Sequence, residues 1–256
     1  MNKFKKLVPA ICMLLVSAVL MGTSTYAWFS MNTSVKANNL GVTAKSNAQF
    51  LYINTAANAG QGKIEEDSAV ATDPLYPATF IADAKATTTI GDKTIPAESV
   101  GQNKWFTANS TSASTSNTTV TNIKEIKETD AGTFAKYVKT YTYYLTLAEN
   151  SEDYKGKLNI TMMDKSVQNA DDIIDAVKAV VKVTPAGEAA TPVYLRLDAV
   201  GTAATIAQIE IKATTTVKVE VFVYIDGTDN SVTSQNLADG KKLAGKFNVK
   251  FDIEVK

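Results

Sequence analysis

Apolar and polar residues alternate with a period of two over the C-terminal part of the chain. Val217, Val219, Val221, Val223 and Ile225 occupy every second position, and Phe247, Val249, Phe251, Ile253 and Val255 do the same. Successive side chains of a strand point to opposite faces, so each run predicts a strand with one continuous apolar face. The other face of the second run is Lys246, Asn248, Lys250, Asp252, Glu254 and Lys256, a solvated face of mixed sign. In the first run Phe222 and Tyr224 fall on the outer side, which predicts that something further covers that end. Asp226, Gly227, Thr228, Asp229 and Asn230 then close the strand as a turn. Its acids lack the spacing of a calcium loop.

The same period recurs upstream. Tyr141, Tyr143, Leu145 and Leu147 share one face, with Thr140, Thr142, Tyr144 and Thr146 on the other, and Leu158, Ile160 and Met162 predict a neighbouring strand. Over residues 169–181 the period changes. Ile173, Ile174, Val177, Val180 and Val181 have helix spacing, with Asp171 and Asp172 in the first turn and Lys178 and Lys182 near the end. Residues 180–183 also suit a strand, being rich in β-branched side chains. Phe50, Leu51, Tyr52 and Ile53 predict a buried strand followed by loop chemistry over residues 54–62. Residues 63–104, interrupted by Pro74, Pro77 and Pro96, read as long connections, and Trp105 and Phe106 precede a Ser/Thr/Asn tract at 107–122. Such a tract is a solvated loop or edge strand, less often an O-glycosylated segment. Regular strands without βαβ alternation predict an all-β fold, an antiparallel jelly-roll-like β-sandwich carrying one small helix.

The N-terminus is patterned differently. Lys3, Lys5 and Lys6 lead into an apolar stretch at 7–21 and then into Thr25, Tyr26, Ala27, Trp28, Phe29 and Ser30. A basic start, an apolar core and a small residue at the cut are the marks of an export signal, cleaved after Ala27 so that Trp28 begins the mature chain. An uncleaved membrane anchor is the competing reading, because residues 7–29 approach the ~20 residues a span needs. Pro9, Ser17 and the polar run after Gly22 weaken it, and Cys12 stands too early for a lipoprotein signal. The organisation expected is a signal or anchor helix at 1–27, an N-terminal linking strand at 28–44 and the sandwich domain at 45–256. The localisation expected is secreted, extracellular or cell-surface.

Composition narrows the function. The chain has 26 basic and 26 acidic residues, and loss of the leader leaves 23 against 26, a net charge of −3. A weakly acidic protein whose single arginine is Arg196 has no electrostatic reason to seek nucleic acid. The only cysteine, Cys12, lies in the leader, so the mature chain is expected to have neither disulfide nor thiol. There is no histidine at all, which closes imidazole-ligated zinc and His-activated Ser or Cys nucleophiles. No Asp or Glu sits in the aromatic, Gly-flanked context of a sugar-cleaving cleft. The expectation is a protein that is not an enzyme, with no cofactor and no metal.

The junction from Thr25 to Ser30, followed by Ser34, Val35, Lys36, Ala37, Asn38, Asn39, Leu40, Gly41 and Val42, resembles the start of the TasA/camelysin family of secreted Gram-positive proteins. The Val-x-Val strand, the Asp-Gly turn and the strand from Phe247 are similar to that family in layout, while residues 60–210 carry no resemblance. The resemblance implies processing by a dedicated signal peptidase and a jelly-roll subunit of extracellular fibres, in a biofilm matrix or surface coat, that passes a strand between subunits. The camelysin branch is described as metalloprotease-like, and the chain departs from it in having no histidine.

The expected partners are therefore further copies of the chain in a homopolymer, a signal peptidase, and cell-envelope or matrix proteins. Trp28, Phe29, Val35, Leu40 and Val42 are the expected polymerisation segment, the alternative being that this segment folds back as the first strand of its own sandwich. The alternative is a monomeric extracellular module for glycans or surfaces, with Tyr141, Tyr143, Phe222 and Tyr224 as candidate platform rings. Core packing is the plainer reading of those four. A membrane-anchored pilin-like subunit is a third reading, if the leader stays uncut. No Leu-Pro-x-Thr-Gly tail is present, so sorting to peptidoglycan by that route is not expected.

Overall fold

A computed structural model describes residues 34–38, 50–68, 74–82, 87–91, 93–95, 103–110, 120–121, 123–149, 151–166, 174–187, 190–233, 236 and 246–254. The strands are β1 (Ser34–Asn38), β2 (Leu51–Asn54), β3 (Glu65–Asp67), β4 (Ala78–Ile81), β5 (Thr88–Ile90), β6 (Lys93–Ile95), β7 (Lys104–Thr107), β8 (Asn109–Ser110), β9 (Val120–Thr121) and β10 (Glu125–Ile126). A one-turn helix α1 (Ala131–Phe134) separates these from β11 (Val138–Leu147), β12 (Tyr154–Ser166), β13 (Val177–Thr184), β14 (Val193–Leu197), β15 (Ala203–Ile211), β16 (Val217–Ile225) and β17 (Lys246–Ile253).

Two five-stranded sheets face each other, the first in the order β15-β12-β17-β1-β3 and the second β14-β13-β16-β11-β2. All their pairings are antiparallel except β1 with β3. From β11 on, the chain crosses between sheets at every step but β13 to β14, as in a β-sandwich. The alternating residues named above make the core. Leu158, Ile160, Met162, Val249, Phe251 and Ile253 of one sheet meet Tyr143, Leu145, Val181, Val217, Val219 and Val221 of the other.

A third layer covers the outer face of the second sheet. β10, β7 and β4 form a small antiparallel sheet, and their Ile126, Trp105 and Phe80, with Phe134 of α1, pack on Val138, Val180, Phe222 and Tyr224. Trp105 is at the centre, its ring 4.8 Å from Phe80, 5.0 Å from Tyr224 and 5.7 Å from Phe222. This is the cover that the outward Phe222 and Tyr224 called for. The hairpin strands β5, β6, β8 and β9 extend the layer over a smaller core of Ile81, Ile90, Ile95, Phe106, Val120 and Ile123.

Three expectations are corrected. Residues 177–184 are strand β13 rather than the end of a helix; residues 167–173 lie outside the described residues. Its pattern imitates helix spacing because both faces are buried, Val177, Ala179, Val181 and Val183 toward the sandwich and Val180 toward the outer layer. The small helix is α1, where the Asp130 carboxylate caps the Thr133 amide at 3.2 Å. Residues 63–104 hold strands β3 to β6 and the first residue of β7 rather than connections alone, and β12 pairs with β15 and β17 instead of lying beside β11.

Candidate functional site

β1 lies between the last strand of the described chain and a three-residue edge strand. It runs antiparallel to β17, with Ser34 opposite Asp252, Val35 opposite Phe251, Lys36 opposite Lys250 and Ala37 opposite Val249. On its other side it runs parallel to β3, with Lys36 beside Glu65 and Asn38 beside Asp67. Extended backbone presents alternate donors and acceptors along both edges, so β1 completes two ladders at once.

Each wall of this slot is also held by contacts that do not involve β1. β17 pairs with β12 from Ile253 through to Lys246, and its Val249, Phe251 and Ile253 are buried in the main core. β3 is tied to the opposite sheet. Just before it, Lys63 and Ile53 of β2 exchange two backbone hydrogen bonds of 2.9 Å. Just after it, the Ser68 hydroxyl is bonded to the Tyr143 hydroxyl of β11. Burial pushes the Tyr143 phenol well above its ordinary range, with the Ser68 bond pulling the other way. At Gly62 a Cβ would stand 2.8 Å from the Tyr52 Cβ and 2.9 Å from the Ile53 carbonyl oxygen, so the approach of the β3 corner to β2 requires glycine.

Charge is distributed along the same strands. The Lys250 ammonium lies 2.6 Å from the Asp252 carboxylate, and Lys63 reaches the buried Glu66 at 3.1 Å. Burial raises the Asp252 carboxyl above the usual carboxylate range, although its bond to Lys250 opposes the shift. The Lys36 backbone is in register between Lys250 and Glu65. This arrangement offers backbone pairing along two edges.

Of the sequence-derived segment, Val35 lies in β1 opposite Phe251, whereas Ala27, Trp28, Phe29, Leu40 and Val42, with the leader, lie outside the described residues. The four rings considered as a glycan platform do not form one. Tyr143, Phe222 and Tyr224 are buried, and Tyr141 is half-buried against the main core. The acids of the turn after β16 are engaged locally. Asp226 accepts from the Thr228 amide and hydroxyl at 3.1 and 2.7 Å, and Asp229 from the Ser231 amide and hydroxyl at 3.0 and 2.6 Å. Among the described residues no three His, Cys, Asp or Glu side chains are grouped as metal ligands.

A second polar centre was not anticipated from the sequence. The Glu128 carboxylate, in the turn between β10 and α1, accepts from Lys182 Nζ at 2.6 Å, Tyr194 Oη at 3.0 Å and Trp105 Nε1 at 3.2 Å. Burial tends to lower the Lys182 pKa, but the hydrogen bonds that Lys182 makes to Glu128 and Tyr194 outweigh it and hold the ammonium well above its ordinary range. Lys182 also stands 3.8 Å from Glu220, which Lys218 pairs at 2.7 Å. The one signal in the sequence was Trp105 itself, since a buried indole N–H needs an acceptor.

No protein-family model matches the chain, and neither the curated proteins nor the solved structures contain a match.

Proposed function

We propose that the chain is an exported structural subunit that forms extracellular fibres by strand exchange, the segment around β1 of one copy entering the slot of the next. The observation that carries this reading is the seating of β1 between β17 and β3, two walls anchored to the rest of the domain by contacts of their own. A strand with the same sequence from a second copy makes the same ladders in the same register, so exchange alters connectivity at little cost in pairing. Each backbone hydrogen bond contributes a net ~0.5–1.5 kcal/mol, which makes a two-sided ladder a stronger joint than exposed ion pairs worth about 0–1 kcal/mol each. The export-type leader and the absence of cysteine and histidine beyond residue 27 agree with an extracellular structural role.

A cysteine pair tests it. Lys36 and Lys250 are directly opposed, a spacing within the reach of a disulfide. The double variant Lys36→Cys, Lys250→Cys, oxidised after assembly, is expected to give a ladder of covalent multimers on a non-reducing gel. Filaments that yield monomers bridged within one chain, or the absence of any filament by negative-stain microscopy, defeat the proposal.

A further inference from the structure

Tyr76 is 61% exposed, the one exposed aromatic ring among the residues whose side chains are described. It is held in place. Its amide donates to the Lys136 carbonyl at 2.8 Å, the carbonyl of the following Pro77 accepts from Ala108 at 3.2 Å, and its ring lies 5.6 Å from that of Tyr137 at a tilt of 45°. A lone exposed tyrosine needs no explanation. This one is accompanied by a cleft.

Leu75 and Val138, the chain neighbours of Tyr76 and Tyr137, both line a cleft of about 570 Å³ between the outer layer and the second sheet. Phe134 and Phe222 supply its remaining large apolar surface, and Glu128, Lys182, Lys218 and Glu220 its hydrogen-bonding groups. Those four charges are paired with one another, at 2.6 Å for Lys182 with Glu128 and 2.7 Å for Lys218 with Glu220. Lys139 also borders the cleft, but alternation along β11 puts it on the face shared with Tyr141 and Tyr143, away from Val138. The cleft therefore combines apolar walls and fixed donors and acceptors with balanced charge. A ligand suited to it is polyhydroxylated and uncharged, with a flat apolar side for the ring.

We propose that the braced Tyr76 ring and the adjoining cleft form a binding site for a neutral oligosaccharide, one sugar stacking on Tyr76 and the next donating hydroxyls to Glu220 and Glu128. This goes beyond the fibre reading and does not depend on it, since the site lies between the outer layer and the second sheet and the strand slot in the first sheet.

Cellohexaose is the probe, titrated into the full chain and followed by calorimetry and by tryptophan fluorescence, which reports through the Trp105 bond to Glu128. Saturable binding is expected. Tyr76→Ala should weaken it by about tenfold or more, the loss typical of an aromatic anchor, while Tyr76→Phe keeps it within about twofold. Tyr76 belongs to none of the buried clusters, so both variants are expected to fold, with the near-ultraviolet spectrum as the check. The proposal is overturned by no saturation up to roughly 10 mM, by Tyr76→Ala binding as tightly as the wild type, or by an oligogalacturonate of equal length binding as well as the neutral sugar.

Discussion

Trp105 donates its indole N–H to Glu128 at 3.2 Å, and this bond joins the apolar and polar fastenings of the outer layer. The indole ring packs on Phe222 and Tyr224 of the second sheet, while the carboxylate it touches reaches Lys182 on β13 and Tyr194 on β14. The layer is thus held over the middle of the sheet by rings and near its edge by one acid.

Glu128→Ala is expected to lower stability by about 1.5–3 kcal/mol, because it strips the acceptor from an ammonium, a phenol and an indole that remain largely enclosed. Glu254→Ala makes the contrast. Its pair with Lys157 spans 3.4 Å between side chains more than half exposed, so about 0–1 kcal/mol is expected. Urea unfolding of both variants beside the wild type measures the difference. Equal losses would show that Glu128 is no better coupled than a surface charge.

Much of the sandwich was legible because half-buried strands announce themselves. β11, β16 and β17 alternate in sequence as they do in burial, since one side of each meets the core and the other is less enclosed over much of its length. The outer layer was not legible for the same physical reason inverted. All four residues of β4, Ala78, Thr79, Phe80 and Ile81, are buried, and so are Trp105, Phe106 and Thr107 of β7, which leaves no alternation to read. β13 failed likewise, its two buried faces producing a helix-like spacing. Pairing partners were harder still. Leu158 and Leu145 alternate in the same way, but nothing local says that their strands face each other across a core rather than share a ladder. At the candidate slot the sequence offered the strand-forming character of residues 34–38, and the identity of its neighbours came from topology.

Asp229 predicts a pH dependence. Burial alone would raise its carboxyl, but the Ser231 hydroxyl and amide, with Lys178 at 3.5 Å, outweigh it and hold the pKa below the usual carboxylate range. A carboxyl with a lowered folded-state pKa adds stability above its unfolded pKa, and that stability is lost as the pH falls through the folded one. Asp229→Asn should therefore be less stable than the wild type at neutral pH, by about 1 kcal/mol or less once solvent screening is counted, with the gap closing in acid. Urea midpoints taken from neutral pH down through the carboxylate range measure it, and a gap that widens in acid contradicts the assignment.

Asp252 carries the opposite sign. Its carboxyl is raised by burial, so the stability linked to it is fully present below the unfolded pKa and drains away as the pH rises through the folded one. Asp252→Asn is expected to flatten that decline, bringing variant and wild-type curves closest at acid pH. Because Asp252 is opposite Ser34, hydrogen exchange of the β1 amides under the same titration reads the effect at the slot itself.

The proposed export makes a prediction at the level of covalent structure. Cleavage after Ala27 gives a secreted chain that begins at Trp28, and intact-mass measurement of the extracellular protein checks it to the residue. Recovery of the unprocessed chain in membranes would instead support the anchored, pilin-like arrangement.

Gly227 tests the junction of the outer layer with the sandwich. Its amide donates to the Ala78 carbonyl at 2.9 Å, next to the parallel bridge between Ala78 and Asp226 that links β4 to the end of β16. A Cβ built on Gly227 would stand 2.0 Å from the Ala108 carbonyl oxygen and 2.9 Å from the carbon that bears it. That obstacle is backbone, and Ala108 cannot retreat without releasing its own bond to Pro77. Gly227→Ala must therefore move the β7–β8 corner or the turn after β16, at a cost of about 1–3 kcal/mol as in other overpacked sites. The loss should fall mainly on the outer layer. Amides of β4 and β7 are expected to exchange hydrogen faster in the variant while those of β12 and β17 keep their protection, and uniform loosening of both sheets would show that the layer and the sandwich unfold as one unit.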